Sequence, residues 1–399
     1  MDTITTIVII LGILLALFAN FSNGRNDASN VVATVIATRA LSPRNAIILA
    51  SICCFAGPFI FSTAVAKTIG KGIVDPDIFT PILLLIAMCG SVFWVNFCSR
   101  SGIPVSSSHA LVGGLMGAGI AAGGFAVVNW PTSMMVLGMV YYLIMGALIG
   151  GLIMLTLSLV FKDSVKLFTI LGAGTGAMLA VPIAMICGVF EFNGLIAILL
   201  FICVSPALGL IVSWTFTMIL TRIMAKRVTQ PSLMNKWFQR LQILASGFQA
   251  ASLGGNDAQN AMGIIFAILL SVGVIGTGGE IPTWVILLSS LAISIGLLSG
   301  GWKVIKKVGT GITRLLPYQG FSAALSGGVV LSFMTSFGVP VSTTHVASGS
   351  IMGTGLTRGV GAVNLGTVRQ ILIAWVITIP CAGVVSFLIY LIASLVFGF

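Results

Sequence analysis

Two aspartates, Asp27 and Asp257, lie deep in apolar segments of the sequence, whereas the other acidic residues fall in polar stretches or near the N-terminus. A carboxylate inside a bilayer is costly unless other groups compensate it, so such residues usually mark ion or substrate pathways. An aspartate can also cap a helix through backbone amides. The occurrence of these two at matching positions of a repeat favours the functional interpretation.

The aspartates belong to a duplicated motif, because residues 18–30 align with residues 248–260. In each copy one asparagine precedes the aspartate and another follows it three residues later. Carboxylate and amide oxygens are hard ligands that suit a small hard cation such as Na⁺. Any single asparagine could instead form a hydrogen bond between helices. The predicted Na⁺ ligands are Asn26, Asp27, Asn30, Asn256, Asp257 and Asn260.

A second duplicated motif carries hydroxyl groups and covers residues 102–109 and 338–345, where Pro-Val-Ser is followed by two hydroxyl residues and a histidine. Proline suits the first turn of a helix and serine its N-cap, and the free amides and dipole of a helix N-terminus attract anions. Capping needs one hydroxyl, so three in each copy favour binding of a tetrahedral oxyanion. The predicted ligands are Ser106, Ser107, Ser108, Ser342, Thr343 and Thr344.

Three further residues could contact a proton or the anion. His109 and His345, the only histidines, sit at matched positions. They could donate to the anion, titrate, or bond to backbone. Arg25 is the cationic candidate inside the first apolar segment. An anion beside two aspartates is repelled, by about 4 kcal/mol for unit charges ~4 Å apart at an effective dielectric of 20. Bound cations would turn this repulsion into attraction. Binding of the cation and binding of the anion would then favour each other, as symport requires.

The composition determines the class of protein. Of 399 residues, 58% are apolar and 7% are charged, which excludes a soluble domain or a disordered chain. At roughly 20 residues per span, the apolar residues suffice for about twelve transmembrane helices. The basic excess, 19 Lys and Arg against 8 Asp and Glu, lies mostly between apolar segments without interleaved aromatics. It therefore predicts cytoplasmic loops, with both termini external, rather than a nucleic-acid partner.

The predicted elements suggest an inverted repeat. Spans 3–38 and 241–278 are too long for one regular helix, and we expect each to break at Gly-Asn-Asp. Segments 104–128 and 341–357 could span the membrane or re-enter it. The predicted fold is an all-α polytopic membrane protein with an inverted internal repeat and broken or re-entrant helices. Its divisions are the first repeat 1–128, scaffold helices and a cytoplasmic linker 129–240, the second repeat 241–366, and a C-terminal scaffold helix 367–399.

The two motifs resemble those of the inorganic phosphate transporter family, whose signature is Gly-Ala-Asn-Asp-(Val/Ala)-Ala-Asn in both halves with Pro-Val-Ser-(Ser/Thr)-(Ser/Thr)-His elements. The resemblance implies a sodium- or proton-driven phosphate symporter, with Asp27, Asp257, Asn26 and Asn256 at the cation sites and the hydroxyl clusters near phosphate. Arg25, Ser29 and Gln259 depart from the family pattern. Some relatives carry sulfate or metal-phosphate complexes.

The function predicted from these features is Na⁺-coupled symport of inorganic phosphate by alternating access in the cell membrane. Na⁺ is the coupling ion rather than a prosthetic group, and the chain is not expected to be an enzyme. A homodimer is a further hypothesis. One alternative is an H⁺-coupled carrier of metal-phosphate or sulfate. The other is an intramembrane aspartyl protease, which also uses two buried aspartates but needs neither duplicated amides nor hydroxyl-rich helix ends.

Overall fold

The computed structural model describes residues 3–61, 65–66, 80–161, 165–189, 194–227, 231–276, 279–336 and 341–398. Within these ranges the chain is helical, apart from turns, short connections and isolated bridges such as that between Thr313 and Val363. The all-α fold class is therefore confirmed. The helices are α1 Thr3–Ala37, α2 Pro43–Ile60, α3 Pro81–Arg100, α4 Ser107–Gly123, α5 Ser133–Phe161, α6 Val165–Ile186, α7 Gly194–Arg227, α8 Pro231–Ser271, α9 Thr283–Ser299, α10 Trp302–Gly311, α11 Pro317–Ser336, α12 Thr343–Leu356 and α13 Leu365–Phe397.

Several helices begin at a side-chain cap that is visible in the sequence. Ser42, Thr80, Ser106, Ser342 and Asn364 each accept a hydrogen bond from the backbone N–H three residues further on. Such caps satisfy one of the amides that the first helical turn leaves unpaired. Proline follows the cap in α2 and α3, where its missing N–H costs nothing. Local sequence therefore determines where these helices start.

The prediction of a helix break at each Gly-Asn-Asp was wrong. Helices α1 and α8 both run through the motif without interruption, over 35 and 41 residues. Side chains from other helices compensate the two aspartates, so no backbone amides have to be freed by unwinding. In the polar segment around residues 223–240, α7 extends to Arg227 and α8 begins at Pro231.

Two short helices follow longer ones as hairpins. Helix α4 has 17 residues and α12 has 14. At 1.5 Å per residue these are about 25 and 21 Å long, short of the ~30 Å hydrocarbon core. Each packs back against the helix before it, so we name α3–α4 hairpin 1 and α11–α12 hairpin 2. Their lengths favour re-entrant helices over complete crossings. Residues 338–340 of the second hydroxyl motif lie outside the described residues.

Other helices are long enough to cross a bilayer. Six described helices pass by length and hydropathy, and the pair α9–α10, bent by 73°, makes a seventh. Large apolar side chains are exposed on the outer helices, among them Leu137 and Leu152 of α5 and Val376 and Leu395 of α13. Exposed apolar surface on this scale suits contact with lipid. The structure therefore supports a multi-pass membrane protein.

The same order of elements occurs twice in the described chain. Helices α1 to α4, a 3₁₀ turn at Phe125–Val127 and α5 are matched by α8, α9, α11, α12, a 3₁₀ turn at Val360–Ala362 and α13, and α10 lies between α9 and α11. The two series interleave, because α1 packs along α9 and α2 along α8. Helix α4 packs along α13, whereas α12 packs along α7. The four-part division of the chain stays a prediction.

Glycines allow the central helices to cross at backbone contact. A Cβ atom at Gly24 of α1 would overlap the carbonyl oxygen of Ile293 in α9. A Cβ atom at Gly254 of α8 would likewise overlap the carbonyl oxygen of Cys54 in α2. Small residues permit this close approach of membrane helices. The glycines of the two Gly-x-Asn-Asp motifs therefore serve packing rather than a helix break.

Gly254→Ala is expected to destabilise the protein by about 1–3 kcal/mol, because the added methyl group forces α2 and α8 apart. The matched control is Gly174→Ala in α6, where a Cβ would have nothing within 4 Å. That change should be neutral or stabilising by up to about 1 kcal/mol, since alanine is the better helix former. Thermal unfolding of the purified variants in detergent measures both. Equal melting temperatures for Gly254→Ala and the unmodified protein would refute the packing role.

Candidate functional site

The two predicted aspartates meet at the centre of the structure. Asp27 on α1 and Asp257 on α8 are each 1% exposed. The Thr343 hydroxyl donates to Oδ2 of Asp257 at 2.8 Å and to Oδ2 of Asp27 at 3.4 Å. The neighbouring Thr344 hydroxyl donates to Oδ1 of Asp27 at 2.9 Å. The first turn of α12 therefore bridges the carboxylates of both repeats.

The asparagine before each aspartate makes the same contacts in the two repeats. Asn26 Nδ2 donates to Asp27 Oδ1 at 2.9 Å and to the Val105 carbonyl at 2.8 Å. Asn256 Nδ2 donates to Asp257 Oδ1 at 2.8 Å and to the Val341 carbonyl at 2.9 Å. Each asparagine thus connects the tip of one hairpin to the helix that carries the aspartate.

The asparagine after each aspartate contacts the opposite hairpin. Asn30 Nδ2 donates to the Thr344 hydroxyl at 3.0 Å. Asn260 Nδ2 donates to the Ser108 hydroxyl at 3.1 Å. Five of the six predicted cation ligands therefore share one hydrogen-bond network with Thr343 and Thr344, whereas Asn260 pairs with Ser108 of hairpin 1.

The two hydroxyl clusters are unequal in their partners. In hairpin 2 the Thr343 and Thr344 hydroxyls donate to the carboxylates. In hairpin 1 the Ser107 hydroxyl instead donates to Asn23 Oδ1 at 2.5 Å. Asn23 was missed by the sequence analysis because the second repeat has Leu253 at the equivalent position. A signal was present, since Asn23 precedes Asp27 by four residues and so shares its helix face. A cavity of about 30 Å³ lies between Asn23, Ser107 and Asn260.

Two of the six predicted anion ligands are used as helix caps. Ser106 Oγ accepts the backbone N–H of His109 at 3.4 Å, and Ser342 Oγ accepts that of His345 at 3.3 Å. These contacts fix the start of α4 and α12. The second and third hydroxyl of each cluster are the ones that reach the asparagines and aspartates.

The histidines come together at the hairpin tips. The ring centroids of His109 and His345 are 4.8 Å apart, and His345 also packs on Trp375 of α13 at 3.8 Å. Both histidines are buried. They therefore join hairpin 1, hairpin 2 and α13, and their part in proton or anion contacts stays a prediction.

The three departures from the family signature lie in different surroundings. Arg25 is half-buried and lines a groove between α1 and α3 together with Arg100, so the structure places it apart from the hydroxyl clusters. Ser29 donates to the Asn26 carbonyl at 3.4 Å, and Gln259 donates to the Gly255 carbonyl at 2.5 Å. Ser29 thus bonds within α1, whereas the Gln259 side-chain oxygen also accepts the backbone N–H of Ala66 at 2.9 Å.

The donor set at the centre suits a hard cation. The hydrogen-bond donors to the two carboxylates are hydroxyls and amides, with no lysine or arginine among them in the described part of the chain. Asn26 Oδ1, beside Asp27, is buried and receives no hydrogen bond from any residue in the described ranges. The carbonyls of Val105 and Val341 lie within reach of the same amides. Carboxylate, carboxamide and carbonyl oxygens are the ligands of small hard cations.

A multi-pass helical protein whose interleaved repeats enclose buried carboxylates and two re-entrant helix ends belongs to the class of membrane transporters. The chain belongs to the phosphate transporter family, whose sequence profile matches residues 23–168 and 164–386. This membership confirms that the protein is a transporter and not an enzyme. It therefore rules out the aspartyl protease, a class that two neighbouring buried aspartates would by themselves have fitted.

Individual relatives cover the chain from end to end. A Rhizobium meliloti protein named "probable low-affinity inorganic phosphate transporter" is 35% identical over 99% of this chain and 100% of its own length. A Bacillus subtilis protein of the same name is 34% identical over 99% of both. A solved structure titled "The sodium-dependent phosphate transporter" matches with a TM-score of 0.69 and 29% identity, over 98% of this chain and 99% of that one.

Proposed function

We propose that the protein is a Na⁺-coupled symporter of inorganic phosphate that works by alternating access. The observation that carries the proposal is the bridge between buried Asp27 and Asp257 formed by hydroxyls at the N-terminus of α12. A cation site and an anion-binding helix end thereby share the same side chains. The name of the similar solved structure, a sodium-dependent phosphate transporter, supports both ions.

Na⁺ would be held by the carboxylates of Asp27 and Asp257 together with Asn26 Oδ1, an acceptor for which the described residues supply no donor. Each carboxylate lies close to the other through Thr343, so their mutual repulsion makes a bound cation favourable.

The shared hydroxyls provide the coupling between the two ions. In the structure the hydrogens of Thr343 and Thr344 are directed to carboxylate oxygens. When the hydroxyl oxygen faces Na⁺, its hydrogen points away from the ion. In that orientation the hydroxyl can donate to a phosphate oxygen. Na⁺ also adds the positive charge that the helix ends of α4 and α12, about half a charge each, do not supply. Binding of either ion therefore favours binding of the other.

The hairpin tips are the elements that would move in alternating access. They are joined to α1 and α8 by the amides of Asn26 and Asn256 and to each other by the histidine rings. These contacts and the hydroxyl bonds of the tips are made by side chains, so exchanging them can open the site to one side at a time. The distribution of lysine and arginine supports a cell-membrane location with both termini outside. A homodimer stays a hypothesis.

Proteoliposomes with the membrane potential clamped to zero test the coupling. A tenfold inward Na⁺ gradient contributes about 1.4 kcal/mol per ion, so phosphate should accumulate about tenfold for each Na⁺ transported with it. Radiolabelled phosphate inside the vesicles is the readout, with K⁺ replacing Na⁺ as the control. Accumulation driven equally well without Na⁺ would contradict the proposal. Dependence on a proton gradient, with competition by sulfate or a need for divalent metal, would favour the alternative carrier.

A further inference from the structure

The groove that contains Arg25 is separate from the ion site and has its own chemistry. Its accessible volume is about 650 Å³, and it lies between α1 and α3. Phe18, Phe93 and Phe97 in its walls are each about half exposed, so it opens on the outer surface of the protein. Its exposed phenylalanines lie on membrane helices, where a lipid acyl chain is an apolar partner of the right kind.

The groove is amphipathic along its length. The Asn96 amide of α3 donates to the Ser22 hydroxyl of α1. Further along both helices, Gly301 lies close to the Arg25 carbonyl and to the Ser99 hydroxyl. The two helices therefore run in parallel, with Arg25 beside Arg100. The phenylalanines come earlier along each helix. One end of the groove is therefore aromatic and the other carries two guanidinium groups.

Among the described residues, the positive charges at this end have no acidic partner in the groove. The residues that line it include Arg25 and Arg100 but no aspartate or glutamate. Lys303 adds a third positive charge nearby, because its ammonium donates to the Arg100 carbonyl at 3.1 Å. Guanidinium groups bind phosphate esters through two parallel hydrogen bonds. An anionic phosphate group therefore complements this end.

The cation site does not require an arginine at this position. The second repeat has Gly255 where the first has Arg25, although both repeats carry the Asn-Asp pair and make the same asparagine contacts. A Cβ at Gly255 would crowd Phe61, so the equivalent space is filled there by α2. Arg25 is thus a feature of the α1–α3 surface alone.

We infer that the α1–α3 groove, with Arg25 and Arg100 at one end and Phe18, Phe93 and Phe97 at the other, binds an anionic phospholipid. The guanidinium groups contact the phosphate of the headgroup, and the phenylalanines contact the first part of an acyl chain. Inorganic phosphate would use only the charged end and would leave the aromatic wall without a ligand. Basic pockets between membrane helices commonly hold anionic headgroups.

Lipid binding can be measured without transport, so its outcome is independent of the proposed symport. The protein is placed in phosphatidylcholine vesicles that contain spin-labelled phosphatidylglycerol or spin-labelled phosphatidylcholine, and the immobilised fraction is compared. We expect preference for phosphatidylglycerol to fall about fivefold for each arginine removed in Arg25→Ala and Arg100→Ala. The pair Arg25→Lys with Arg100→Lys should retain most of it. Arg369→Ala removes an exposed arginine elsewhere and should change nothing.

Three results would overturn the inference. The first is an unchanged preference in the double alanine variant, and the second is an equal loss in Arg369→Ala. The third is displacement of the labelled lipid by millimolar inorganic phosphate, which would identify the groove as a site for the free ion. If the double variant does not fold, Arg100→Ala alone decides the question, because Arg100 is exposed at the end of α3 and its removal opens no core space.

Discussion

Asp27→Asn and Asp257→Asn should each abolish Na⁺-driven phosphate uptake. Asparagine is nearly isosteric, so the change removes one unit of charge from the cation site and little else. At an effective dielectric of 20, a carboxylate about 4 Å from Na⁺ contributes about 4 kcal/mol. This corresponds to a loss of roughly 1000-fold in Na⁺ affinity. Initial rates of uptake into proteoliposomes, measured over a range of Na⁺ concentrations, give the apparent affinity directly.

The aspartate variants have a matched control and a check on folding. Glu280→Gln neutralises an exposed acid outside the site and should transport normally. Asparagine still offers an oxygen to Thr344 or Thr343, so both site variants should fold. Their melting temperatures should equal or exceed that of the unmodified protein, because a buried charge has been removed. Normal uptake by either variant at ordinary Na⁺ concentration would exclude that aspartate from the mechanism.

Thr343→Val should lower the rate of uptake at low phosphate by about 10- to 100-fold, because hydrogen bonds to charged groups contribute about 1.5–3 kcal/mol. The Thr343 hydroxyl contacts both carboxylates, so its loss affects the cation and anion sites together. Thr343→Ser keeps the hydroxyl and should transport at close to the normal rate. The measurement is the ratio of kcat to KM for phosphate, at saturating Na⁺.

The repeat equivalent of Thr343 provides the comparison. Ser107 donates to a neutral amide of Asn23, and such bonds contribute about 0.5–1.5 kcal/mol. Ser107→Ala should therefore reduce uptake by less than about tenfold. Equal losses in Thr343→Val and Ser107→Ala would mean that the two hairpins contribute alike, contrary to the unequal contacts of the structure.

Much of the site follows from the sequence, because its features are duplicated. A polar motif that recurs within apolar segments predicts a buried site, and two copies of it predict that the copies meet. The structure brings all six amide and carboxylate residues into contact with the hydroxyl motifs, among them Asn30 with Thr344 and Asn260 with Ser108. The start of α4 and α12 at Ser106 and Ser342 also follows from local capping preferences.

Other features depend on contacts between distant parts of the chain. A break in α1 and α8 was expected because spans 3–38 and 241–278 are too long for one regular helix, and a break would have offered each aspartate free backbone amides. The structure supplies Thr343 and Thr344 instead, which lie far away in sequence. The place of Arg25 in an outer groove likewise depends on how α3 packs against α1. Neither spacing nor composition indicates such packing.

The interleaving of the two repeats has a consequence for biosynthesis. Asp27 and its partner Thr344 are separated by 317 residues. At about 5–20 residues per second, the ribosome needs roughly 16–60 s to synthesise the chain between them. During that interval α1 carries a carboxylate without its hydroxyl donors, and α9, on which Gly24 packs, is not complete for most of it. The first repeat therefore cannot reach its final packing when it leaves the ribosome, and its assembly in the membrane waits for the second.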